Sequence, residues 1–273
     1  MKLIGIGDSV VDYYQDQGLI YPGGNAFNVG VLAKRNGAQA CAYLGMIGND
    51  KAADLIIHAA SLEEIDMTRV RRVFGPTGEA VVSLNEEGDR VFVGTNRGKR
   101  VQSLLKLQLT EEDLDYIRTY DLIHTSVNSD IEHELIRLAG QPISYDFSTP
   151  KRWTRAYLEQ VCPYLTYAFF SGSEMELEDI ERLIEEVHGW GVQVVGVTRG
   201  AQSAIFSEKG ERFEQSPMPA QVVDTMGAGD SFIAGFLVSY HDHQDMRKAL
   251  LQAAQSAAQT CQTYGAFGYG TKK

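Results

Sequence analysis

Cysteine is scarce in this chain of 273 residues: Cys41, Cys162 and Cys261 lie far apart. An odd, sparse set without Cys-x-x-Cys spacing excludes a disulfide framework and a zinc site, and reads as buried thiols of a cytoplasmic protein. Long apolar runs are missing too. No stretch approaches the length of a membrane span. Met1-Lys2-Leu3-Ile4-Gly5-Ile6-Gly7 is too short an apolar run for a signal peptide and reads as a first strand. Positive charge is in short supply, with 25 Lys and Arg against 36 Asp and Glu, a formal net charge of -11. A nucleic-acid partner needs a basic face. The densest basic cluster, Arg69, Arg71 and Arg72, is short and reads as a solvated edge. Two common nucleotide loops are also lacking. A dinucleotide-binding reading of Gly5-Ile6-Gly7 fails because position 10 is Val10, which argues against a nicotinamide oxidoreductase. No Gly-Lys-Ser/Thr follows a Gly-rich turn, so there is no Walker loop.

What is present is alternation. Strand-length apolar runs at Leu3–Gly7, Gln39–Leu44, Asp121–His124, Ile143–Asp146, Tyr164–Phe170 and Val192–Thr198 alternate with helical patterns. The helices are expected at Asn25–Arg35, Asp50–Ala60, Asp130–Leu138, Thr154–Val161 and Met175–His188, with Ala228–Tyr240 and Met246–Tyr264 at the end. This order predicts an α/β fold whose mostly parallel sheet is covered on both faces, a three-layer α/β/α sandwich. One region breaks the rhythm. Ala80–Leu84 and Arg90–Gly94 flank the polar turn Asn85-Glu86-Glu87-Gly88-Asp89, a hairpin signature, and Val10–Tyr14 with Leu19–Tyr21 form a weaker strand pair. We expect a single domain over 1–273, with these strands, at about 10–22 and 76–96, standing off as a small β lid. A mere edge extension is the plainer alternative. Edge strands in such a lid could pair between two copies, a homodimer.

The strongest chemical signal is Asp224-Thr225-Met226-Gly227-Ala228-Gly229-Asp230-Ser231-Phe232. A Gly-Ala-Gly turn runs into an amphipathic pattern, so it sits at a helix N-terminus, where open amides and the helix dipole favour an anion. Asp230 then falls in the first turn beside that anion. A carboxylate there can take the proton of an attacking hydroxyl; the bland alternative is a capping Asp behind a Gly-rich loop. Gly23-Gly24-Asn25-Ala26-Phe27-Asn28 also puts a Gly pair before a helix, with Gly24 and Asn28 one turn apart. On its own it reads as a helix start with an exposed Asn. Asp8 and Asp12 follow the first strand, where ligands of open α/β sheets collect, or are turn residues in solvent. Thr198 and Gly200 close an apolar strand and could hold a nucleotide phosphate, or form an ordinary turn into Ser203–Phe206. Glu174 is a candidate metal or water ligand, or a helix N-terminal carboxylate. His241-Asp242-His243 reads as a solvated loop.

Together these motifs resemble the PfkB, or ribokinase-like, family of carbohydrate kinases, from Met1 to about Gly268. Asp224–Asp230 matches the Asp-Thr-x-Gly-Ala-Gly-Asp signature, and Gly23–Asn28 and Thr198–Gly200 fall in the expected order. Within the family, Gly7–Asp12, Gly23–Ala26, Asp89–Phe92, Tyr145–Ser148 and Val223–Phe236 look closest to the branch that phosphorylates fructoselysine at its 6-hydroxyl. The resemblance implies Asp230 as catalytic base and Gly227, Ala228 and Gly229 as anion hole. It implies that Asp8, Asp12, Gly23, Gly24, Asn28 and Arg90 bind the sugar. Ser171, Thr198, Gly200 and Thr225 would line the ATP site, and Glu174 would act on Mg²⁺ through water. Many members also bind a monovalent cation near the signature loop. The family's usual Asn-x-x-Glu is here Ser171-Gly172-Ser173-Glu174, keeping the Glu and losing the Asn. The expected activity is transfer of the ATP γ-phosphate to a primary hydroxyl of a ketose-type sugar. A kinase for fructose, another sugar or a nucleoside is the alternative; the Ser171 replacement leaves room for a non-catalytic sugar- or nucleotide-binding protein.

Overall fold

The structure is a computed structural model that describes residues 1–84 and 90–273, with the backbone alone at Leu84 and Arg90. Its first half runs β1 (Lys2–Gly7), β2 (Val10–Tyr14), β3 (Leu19–Gly23), α1 (Asn25–Arg35), β4 (Ala40–Ile47), α2 (Lys51–Leu62), β5 (Ile65–Asp66), β6 (Arg71–Arg72), β7 (Gly78–Leu84), β8 (Arg90–Thr95), α3 (Val101–Leu104), α4 (Glu111–Ile117) and β9 (Leu122–Ser126). The second half runs α5 (Leu135–Leu138), β10 (Ile143–Asp146), α6 (Arg155–Val161), β11 (Tyr167–Ser171), α7 (Leu177–Gly189), β12 (Val194–Arg199), β13 (Gln202–Glu208), β14 (Glu211–Gln215), α8 (Ala228–His243), α9 (Met246–Thr260) and β15 (Thr271–Lys272).

Among the described residues, ten strands make the main sheet, in the order β14-β13-β12-β11-β10-β9-β1-β4-β5 with β6 also on β4. The strands from β12 to β5 pair in parallel, and β13 and β14 add an antiparallel edge. Alternate side chains of each strand point to opposite faces. Leu3, Phe169 and Val194 accordingly join α1, α2, α8 and α9 in one core. Ile4, Phe170 and Val195 join the helices of the other face in a second core. These two cores on one sheet are the expected three layers. Gly5 lets α1 lie close on β1, since a Cβ there would stand 2.2 Å from the Ala26 carbonyl oxygen.

Parallel pairing brings the carboxyl ends of β1, β9, β10, β11 and β12 to one edge. Asp146 pairs in register with Ser126, and Ser171 with Thr198. Above that edge stands a second sheet, β15-β3-β2-β7-β8. It has its own apolar cluster of Tyr14, Tyr21 and Val82, which also encloses Met226 of the signature loop.

Several boundaries differ from the sequence reading. The helix expected from Asp130 is only a 3₁₀ turn, Glu132–Glu134, followed by α5, because Asp130 sits at φ 55. The strand expected from Tyr164 starts at Tyr167, after a turn containing Pro163. His241-Asp242-His243 is the exposed last turn of α8 and not a loop. Arg69 and Arg71 are not a solvated edge: both engage the buried Asp113 of α4, at 2.8 and 2.5 Å, and Arg72 meets Asp54 at 2.6 Å. The turn Asn85–Asp89 lies outside the described residues.

Candidate active site

The glycine turn before α1 exists for close approach. Gly24 has φ 102, and a Cβ on it would lie 2.6 Å from the Ser9 Cα; one on Gly23 would lie 2.3 Å from the Asp12 carboxylate. This brings the start of α1 against the end of β1. Asp8, 3% exposed, accepts the backbone N–H of Asn25 at 2.8 Å and of Ala26 at 3.3 Å. It also accepts the hydroxyls of Ser126 and Ser129, at 3.0 and 2.8 Å. Asp8 therefore caps α1 from outside the helix. Asp12, also buried, lies on β2 beside Gly23.

The turn before α8 is built differently. Gly227 is the N-cap at φ 74 and has no side chain of its own to cap the helix. A Cβ on Gly227 would lie 2.4 Å from the Ala266 Cβ, whereas one on Gly229 would meet nothing within 4 Å. The Ala228 amide leans back to the Thr225 carbonyl at 3.3 Å, and the Ser231 amide bonds the Gly227 carbonyl at 2.8 Å. The Gly229 amide lies in the first turn of α8, where helix geometry supplies no intrahelical acceptor. Asp224 braces the loop: its carboxylate accepts the amides of Met226 at 3.0 Å and Gly265 at 2.9 Å, and the Tyr14 hydroxyl. Thr225 is exposed.

The two turns meet at Asp230. Asn28 Nδ2 donates to Asp230 Oδ2 at 2.7 Å, and Asn25 Nδ2 donates to Asp230 Oδ1 at 2.8 Å. The same Asn25 nitrogen donates to Asp146 Oδ2 at 2.8 Å. Burial pushes the Asp146 carboxyl up to about 7, with the Asp230 and Asp8 charges adding to the effect and the Ser148 amide and Asn25 opposing it. Behind Asn25 stands His124, which burial alone drives down to about 3, so its imidazole is neutral. Asn25, His124 and Asp146 were not singled out as site residues. Their signals were polar residues in or after apolar segments: His124 within Leu-Ile-His-Thr-Ser and Asp146 at the last position of its strand.

The nucleotide-side candidates line a neighbouring stretch of the same edge. Ser171 and Thr198 are register partners, the Gly172 amide bonds the Thr198 carbonyl at 2.8 Å, and Gly200 takes φ 60 with Ser173 beside it. Glu174 is exposed and pairs with Lys151 at 3.0 Å. Such an exposed pair holds weakly, which leaves that carboxylate available. Among the described residues no group of three His, Cys, Asp or Glu could hold a metal alone. The Arg90 side chain lies outside the described residues, so its expected contact with the sugar has no structural counterpart here. No described helix is long and apolar enough to cross a membrane.

Known proteins resemble the chain along nearly its whole length. The chain is 49% identical over 271 residues to the fructosamine kinase FrlD of Bacillus subtilis (strain 168), covering 99% of this chain and 94% of that protein. It is 32% identical over 267 residues to the fructoselysine 6-kinase of Escherichia coli (strain K12), covering 97% and 99%. Its fold superposes on that of Arabidopsis thaliana ribokinase complexed with ribose and ATP, with a TM-score of 0.79 at 22% identity over 98% of this chain and 95% of that one. Residues 1–269 match the family described as pfkB family carbohydrate kinase. With the fold and these likenesses together, the chain belongs to the pfkB family of carbohydrate kinases, phosphotransferases that act on a sugar hydroxyl.

Proposed function

We propose that this protein transfers the γ-phosphate of ATP to the 6-hydroxyl of fructoselysine or a close fructosamine, with Asp230 as the base. The chemical half of the proposal is carried by one observation: Asp230 lies in the first turn of a helix that starts at a glycine turn, and two asparagines of α1 orient both its oxygens. The substrate half is supported by likeness to a fructosamine kinase and a fructoselysine 6-kinase along nearly the whole chain.

The sugar would lie between Asp8, Asp12, Gly23, Gly24 and Asn28, with Arg90 approaching from the small sheet. Its hydroxyl gives its proton to Asp230 as the oxygen attacks in line. The amides of Gly227, Ala228 and Gly229 would face the negative charge of the phosphoryl group in flight, the Ala228 amide giving up its 3.3 Å bond to the Thr225 carbonyl to do so. The missing side chain at Gly229 leaves room for phosphate against the backbone, while Gly227 is needed for its φ of 74 and its packing on Ala266. Ser171, Thr198, Gly200 and Thr225 line the nucleotide side. Glu174 would hold Mg²⁺ through water, and that ion, when bound, neutralises phosphate charge. A monovalent cation beside the signature loop belongs to the same proposal. The small sheet would close over the sugar and keep out water, which competes as acceptor.

The partner is a small molecule, not a nucleic acid, because the formal net charge is -11 and Arg69 and Arg71 already engage the buried Asp113. A homodimer through the small sheet has support from β8, an edge strand that exposes Val91, Phe92 and Val93. Burial pushes the Cys41 and Cys162 thiols up to about 12, which suits the reducing cytoplasm we assign as compartment.

Asp230→Asn tests the base. Turnover, read as ADP release, is expected to fall by roughly 10²–10⁴-fold, while ATP binding by calorimetry stays near that of the wild type. Unchanged turnover would refute the assignment. A panel of acceptors tests the substrate; preference for ribose or adenosine over glycated amino acids would exclude fructoselysine.

A further inference from the structure

The Asn25 side chain ties together two carboxylates. Its Nδ2 lies 2.8 Å from Asp146 Oδ2 and 2.8 Å from Asp230 Oδ1. An ionised carboxylate only accepts, so each of the two amide hydrogens is committed to one of them. At the other end, Asn25 Oδ1 lies 2.9 Å from His124 Nε2, and His124 Nδ1 lies 2.9 Å from Ser144 Oγ. A carbonyl oxygen accepts, so Nε2 carries the imidazole proton and Nδ1 accepts the Ser144 hydroxyl. His124 is 0% exposed and neutral, so it offers one N–H donor and one acceptor nitrogen, matching the Asn25 oxygen and the Ser144 hydroxyl. Turning the Asn25 amide over would set its oxygen against two carboxylates and its N–H groups against the imidazole N–H. Buried polar groups left unmatched in this way are costly.

We propose that His124 and Asn25 are positioning residues for phosphoryl transfer: His124 sets the direction of the Asn25 amide, and that amide holds Asp230 as one member of a carboxylate pair with Asp146. This rests on the reading of Asp230 as base. The charged groups that face Asp146 among the described residues are Asp230 from α8 and Asp8 from the end of β1. Asn25 from α1 and the Ser148 amide meet it as neutral donors, and His124 from β9 stands uncharged behind Asn25. Carboxylates this close resist ionising together, so the pair titrates as a unit. Asp146 thereby influences the pH at which Asp230 can accept a proton, without touching substrate.

The test measures ADP release with fructoselysine as acceptor from acid to alkaline pH, with a thermal melt of every variant. Asn25→Ala and His124→Phe are expected to lower kcat about 10- to 100-fold with the KM for ATP within about twofold. His124→Gln keeps an N–H near the Nε2 position and should recover most of that rate. Asp146→Asn should move the acid limb of the kcat profile to lower pH by about one unit or more. A normal kcat in Asn25→Ala, an equal loss in His124→Gln and His124→Phe, or an unmoved acid limb in Asp146→Asn each overturns the proposal. The melts exclude unfolding as the cause of a lost rate; should His124→Phe not fold, the Asn25→Ala and His124→Gln results decide. An inactive Asp230→Asn beside a fully active Asn25→Ala rejects the positioning role alone. Full turnover in Asp230→Asn rejects the base itself.

Discussion

Helices α1 and α8 both begin after a glycine turn, and their N-termini meet opposite fates. At α1 the protein supplies its own anion: Asp8, from the end of β1, accepts two amides of the first turn. At α8 the carboxylate belongs to the helix itself, as Asp230 of the first turn, and Gly229 faces open space. The dipole and the orphan amides are common to every helix. Read locally, the two turns look alike. Read in space, the first carries Asp8 against its amides and the second carries Asp230 within its own first turn.

Three substitutions would break or sharpen this contrast. The largest effect belongs to Gly227→Ala. A side chain there must adopt φ 74 and stand 2.4 Å from the Ala266 Cβ. Left-handed backbone and overpacking together should cost roughly 2–4 kcal/mol, read by urea unfolding, with ATP binding lost. Asp8→Ala comes next. It uncaps α1 and strips Ser126 and Ser129 of their acceptor, for about 1–2 kcal/mol of stability; a loss below a few tenths would mean that α1 does not depend on this cap. Gly229→Ala is the smallest in stability and the most telling in function. Its Cβ meets nothing in the protein, so helix propensity should raise stability by up to about 1 kcal/mol. ATP affinity should still fall, by about tenfold or more, as the methyl enters the space assigned to phosphate. Unaltered affinity in a titration would move the phosphate elsewhere.

The fold was largely legible because burial of a parallel sheet on both faces leaves apolar runs, and helices between them leave a period. The departures have local causes. Asp130 in the left-handed region prevents a helix from starting there. The polar edge strand β14 and the two-residue β15 carry too little alternation to be seen. Helix α4 did announce itself, through the capping box of Thr110 and Asp113, but it is only seven residues long. At the site, Asp230 and its glycines form one contiguous word in the sequence. The Asn25–Asp146 and Asn25–Asp230 contacts instead join residues 121 and 205 positions apart, so the fold must be assembled before they appear. Asp8 was legible as a polar group at the right strand end, but its bonds to the α1 amides were not, because that cap comes from outside the helix it serves.

The enclosure of Met226 within the small sheet carries a mechanical implication. Tyr14 and Tyr21 grip that methionine, and the Tyr14 hydroxyl reaches Asp224 two positions earlier. Strand β2 is therefore clasped to the segment that leads into the phosphate-facing turn. Whatever tilts β2 tugs on that segment, so the sugar's cover and the nucleotide's cradle share one joint and respond to strain as partners.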